Sequence, residues 1–105
     1  MTYDQNTGTG YIRISSKLEA IADSWPLDGH VDGIGVVLDL DSQRRVLGIE
    51  LLGMPGHGPK DMVAAIASGA IAEASATEGF ELPALGSNPD IIVQPSHRTT
   101  LVEAN

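Results

Sequence analysis

Between Ile34 and Leu52 the chain alternates. Ile34, Val36, Leu38 and Leu40 are separated by Gly35, Val37, Asp39 and Asp41, and beyond Ser42-Gln43-Arg44-Arg45 the residues Leu47, Ile49 and Leu51 resume the pattern against Val46, Gly48, Glu50 and Leu52. Successive side chains of a strand point to opposite faces, so period two sustained over this length specifies two half-buried strands and no helix. The polar residues between them supply the turn of an antiparallel hairpin. One face is strongly apolar, which makes Leu38 a core residue and leaves Asp39 on the other side, where truncation to alanine should be mild. That second face is only partly polar, because Val37, Val46, Leu52 and, on a neighbouring strand, Tyr11 fall on it.

The rest of the chain is weaker in signal. After the turn Asn6-Thr7-Gly8-Thr9-Gly10, Ile12 and Ile14 alternate with Tyr11 and Arg13 and predict a strand over residues 10–15. Residues 18–25 fit a second strand, although Glu19-Ala20-Ile21-Ala22 also suits a helix; Pro26 ends either one. The third and fourth strands are 34–41 and 45–52, and Gly53-Met54-Pro55-Gly56-His57-Gly58-Pro59 breaks the last of them. A helix over 59–76 follows, with Pro59 in its first turn, Asp61 favourably placed against the helix dipole, and Met62, Val63, Ile66, Ala67, Ala70, Ile71 and Ala74 on one face. The expected architecture is α+β: a single domain over 1–80, built as a four-stranded antiparallel meander packed by one C-terminal helix, with 81–105 as an extended arm. In that arm only Ile91, Ile92, Val93, Leu101 and Val102 offer apolar surface.

The hairpin segment DLDSQRRVLGIE has acids at places one, three and twelve, close to the spacing of a calcium loop. Arg44 stands at the sixth place, where such a loop needs glycine, and the flanks alternate as strands instead of forming helices. The turn is the better reading. Arg13 and Glu50 fall on one sheet face and are expected to pair across it. Gly53 to Asp61 imitates a phosphate loop, but Pro59 takes the lysine's place and Asp61 would repel a phosphate, so only a weak anion site at His57, Gly58 and Lys60 survives. His30, His57 and His97 stand in separate loops, and no serine lies in a nucleophile elbow. Trp25 is foremost a core residue and secondarily an interface anchor.

Tyr3-Asp4, Tyr11 to Ile14, Val36 to Asp41 and Arg45 to Leu52, in that order and spacing, resemble the domain-of-unknown-function family 2283 of small bacterial and phage proteins, over residues 3–52. The usual Asp-Gly turn of that family is replaced by Gln43-Arg44. The resemblance implies a small antiparallel sheet and brings no catalytic residues with it.

Composition narrows the classes of function. There is no cysteine, which removes disulfides, thiolate nucleophiles and sulfur-ligated metals together. A net charge of -8 repels nucleic-acid phosphates and anionic membranes. The polar start MTYDQNTGTG is no signal peptide and no segment is apolar enough to span a bilayer, so the expected location is the cytoplasm. Since one helix covers one sheet face, the sequence predicts a non-enzymatic interaction module without cofactors, a homodimer or higher oligomer. Its candidate interface is Tyr11, Arg13, Trp25, Val37, Val46, Glu50, Leu52, Ile91, Ile92 and Val93. Two alternatives stand beside it: an antitoxin-like or inhibitory acidic protein masking a basic partner, and a small-ligand or anion binder at the helix N-terminus.

Overall fold

The structure, a computed structural model, describes residues 1–14 and 20–83 and the backbone of 92–94. Five strands form an antiparallel sheet: β1 (Thr2–Asp4), β2 (Thr9–Arg13), β3 (Asp23–Pro26), β4 (Ile34–Leu40) and β5 (Val46–Gly53). A short β6 (Ile92–Gln94) adds to β1 in parallel, and the spatial order is β3-β4-β5-β2-β1-β6. Two helices, α1 (Pro59–Ala67) and α2 (Ala70–Thr77), complete the α+β fold.

This corrects the expected four-stranded meander and single helix. Only β3, β4 and β5 run as a meander, while β2 pairs with β5 through Tyr11 opposite Glu50 and Ile12 opposite Ile49, giving a Greek-key order. Adjacency in sequence therefore misplaced β2: alternation tells which residues face the core, not which strand lies alongside. The strand β1 is three residues long, too short for a periodic signal. The helix divides at Ser68-Gly69, where Gly69 adopts φ +81°, a left-handed conformation that ends α1 and restarts the chain as α2. Of the second predicted strand, residues 23–25 pair with β4, joined by Pro26, the expected terminator, opposite Val37; of the arm, residues 92–94 pair with β1; Leu18, Glu19, Ile91, His97, Leu101 and Val102 lie outside the described residues.

Both helices lie on the face that the alternation marks as apolar. Ile34, Leu38, Leu40, Ile49 and Leu51 from the sheet, with Met62 and Ile71 from the helices, are completely buried. Each such side chain contributes about 1.5–3 kcal/mol of apolar burial. The helix starts on its own carboxylate, since the Gly58 N–H donates to Asp61 Oδ2 at 2.8 Å.

The segment Asp41–Arg45 is the hairpin turn. Arg44 N–H closes it on the Asp41 carbonyl at 3.0 Å with Arg44 itself at φ +64°, a type I turn followed by a left-handed residue. Asp41 Oδ1 accepts from the N–H groups of Gln43 and Arg45 at 2.8 Å each, and Oδ2 from Arg45 Nε at 2.7 Å. These bonds, the Arg45 N–H first, hold the Asp41 carboxyl below its usual range. The oxygens a calcium ion would need are spent on the turn. Arg44 extends over Trp25 and Phe80, 5.0 and 5.3 Å from the ring centroids, while Trp25 Nε1 and the Asp28 N–H donate to Glu78. The end of α2 is thereby tied to β3 and to the hairpin.

Candidate functional site

Register fixes what the sheet shows on the side away from the helices. Tyr11 and Arg13 of β2 stand opposite Glu50 and Gly48 of β5; Gly48 and Glu50 in turn stand opposite Asp39 and Val37 of β4, and Ser24 of β3 faces Asp39. These residues share one face. Arg13 and Ser24 are exposed on it, and Tyr11, Val37 and Glu50 half-buried.

Its centre is a polar network built across four strands. Gly48 has no side chain, and the Tyr11 ring lies in the space that a Cβ there would occupy. Tyr11 thus crosses β5 and donates its hydroxyl to Asp39 Oδ2 at 2.9 Å, while the Ser24 hydroxyl donates to Oδ1 at the same distance. Asp39 is only 6% exposed, which corrects its expected tolerance of truncation. Burial, then the bond to Asp39 and its charge, push the Tyr11 phenol up to about 12. Such a hydroxyl keeps its proton at neutral pH and serves as a donor, not as a base.

Around this network lie unlike charges and apolar side chains. Arg13 is exposed and Glu50 half-buried; the first lowers and the second raises the Tyr11 phenol, so both sit near its hydroxyl. Yet they form no ion pair with each other; among the described residues the ion pair is Arg45–Asp41. The expected cross-strand pairing is therefore absent. Leu52 is 36% exposed and borders a shallow hollow lined by Pro26, His30, Gly35 and Val37.

Five members of the sequence-derived interface thus come together here: Tyr11, Arg13, Val37, Glu50 and Leu52. Trp25 does not, since it stands opposite Leu38 and packs on Phe80 at 5.5 Å, on the helix side. Val46 is likewise turned inward: a bulge after Asp39 places it opposite Leu40, against the core, where unbroken alternation would have turned it outward. Ile92 and Val93 belong to β6 at the far edge. Sequence reasoning missed Asp39, Ser24 and Gly48 as a unit. The signal for it was a glycine inside an otherwise regular strand, which marks a close approach.

The weak anion site fares differently. The His57 ring lies against Gly33, Lys60 is exposed, and the Gly58 N–H already serves the Asp61 carboxylate. An incoming anion would meet that carboxylate. No group of three or more His, Cys, Asp or Glu suited to a metal occurs among the described residues, and no described helix is long and apolar enough to cross a membrane.

Fold and face together define a small α+β domain whose sheet is covered by helices on one side and presents a polar-centred, apolar-edged surface on the other. The chain belongs to the family described as proteins of unknown function (DUF2283), whose model matches residues 1–54. That span contains β1 to β5 and so the whole of the presented face, with both helices beyond it. No curated protein and no solved structure matches the chain.

Proposed function

We propose that this protein is a non-enzymatic interaction module that self-associates through the second face of its sheet, acting as an accessory or regulatory protein of bacterial or phage origin. The observation that carries the reading is the sheet face opposite the helices, where apolar Val37 and Leu52 flank the Tyr11–Asp39–Ser24 network. Its polar centre is internally satisfied, since Asp39 accepts from both Tyr11 and Ser24. Its flank is apolar at Leu52 and Val37, and sheets with such faces pack on one another about 10 Å apart. The charge on the face also favours a second copy over a basic partner, because Arg13 stands beside Glu50, the exposed acids Asp28, Asp32, Asp61 and Glu73 belong to loops and helices, and the exposed Asp23 of β3 stands opposite Leu40, in the register of the helix-covered side.

Light scattering tests the reading. The expected mass is twice the 11.0 kDa of one chain, falling to a single chain in Leu52→Asp with the circular dichroism spectrum unchanged. A monomer at every concentration up to about 1 mM, the range in which weak specific association becomes visible, would overturn it.

A further inference from the structure

The second face holds two opposite charges close together and unpaired with each other, with a flat aromatic ring between them. Arg13 lies one pleat along β2 from Tyr11, and Glu50 lies directly across from Tyr11 on β5. The ring itself lies down over Gly48 and does not stand up from the sheet. In an interface with two-fold symmetry, residue i of one subunit meets j of the other and j meets i, so a self-complementary face must carry both members of each pair. Adjacent, unpaired Arg13 and Glu50 satisfy this requirement.

Resting on the self-association proposed above, we infer that two copies stack face to face about an axis passing beside Tyr11, with Arg13 of each reaching Glu50 of the partner subunit. The side-chain lengths suit it. Packed sheets stand about 10 Å apart, a gap that a long arginine and a glutamate projecting toward each other span, while Leu52 and Val37 fill it with shorter apolar side chains. The recumbent Tyr11 leaves the space over the axis clear of any upright side chain. Two symmetry-related ion pairs then fix the register of the copies, and the same charges disfavour a uniformly basic or acidic partner.

The test is a charge exchange measured by sedimentation and light scattering on the full chain. Arg13→Glu and Glu50→Arg, each converting two attractive contacts into two repulsive ones, should weaken the dimer about tenfold or more. The double variant carrying both should recover the dimer. If the unaltered protein is monomeric, the self-association reading falls and this inference with it. If it is dimeric but Arg13→Glu and the double variant match it in mass at every concentration, the charge register is wrong while self-association stands. Arg13 is exposed, so Arg13→Glu decides the matter even should Glu50→Arg fold poorly.

Discussion

Gly48 is the residue on which the second face depends, because any side chain there would displace the Tyr11 ring and break its bond to Asp39. Gly48→Ala should therefore destabilise the protein by about 1–3 kcal/mol, the range for overpacking plus a lost buried hydrogen bond. In a Tyr11→Ala background the same change should cost little, so chemical denaturation of the two singles and the double gives a coupling that additive effects would not. Tyr11 carries a second expectation. Its phenol is raised in the folded state to about 12 from an unfolded 10.0, so the stability it contributes is complete below pH 10 and lost as pH rises through 12. Alkaline unfolding compared with Tyr11→Phe should show that loss only in the unaltered protein, and a matching alkaline limb in both would refute it. The sequence revealed the face on which Asp39 lies but not its burial: alternation reports direction, whereas burial here comes from a tyrosine that crosses β5 to reach β4.

At the scale of elements, the hairpin was legible because Ile34 to Leu40 and Leu47 to Leu51 keep a strict period and Ser42 to Arg44 offer only polar residues between them. The division of the helix was not. Apolar spacing continues from Met62 through Ile71, and a single glycine inside a helical pattern does not reveal its own φ. Gly69→Ala must hold a Cβ at φ +81° and should lower stability by about 1–2 kcal/mol. Gly58→Ala, at φ -120°, should not show that loss. A continuous helix would give the opposite sign at Gly69, since alanine is the better helix former. The hairpin turn also predicts an acid effect: Asp41 is held below its unfolded value of 3.8, so its stabilisation is present above that pH and lost as pH falls through the lower folded value. Replacing Asp41 by Asn should flatten that part of the acid unfolding curve.

Across the whole molecule, the order of the strands decides what each segment is needed for. The core cluster and the residues packed against it run from Met1 to Leu82, and the presented face lies entirely on β1 to β5. Sequence adjacency could not show this, because the β2–β5 pairing joins residues 9–13 to residues 48–52 and leaves no local trace. The strand β6, by contrast, contributes three residues at the edge, paired in parallel with Thr2, Tyr3 and Asp4 of the same chain. This pairing lies within the chain and away from the Tyr11 face. Removing residues 84–105 should therefore preserve the circular dichroism of the sheet and helices, lower the melting temperature by a few degrees through loss of the edge pairing, and leave the mass in solution at two truncated chains. A truncated form that becomes monomeric would place the contact between subunits in the C-terminal segment and not on the Tyr11 face. One that fails to fold would mean that the core extends beyond Leu82.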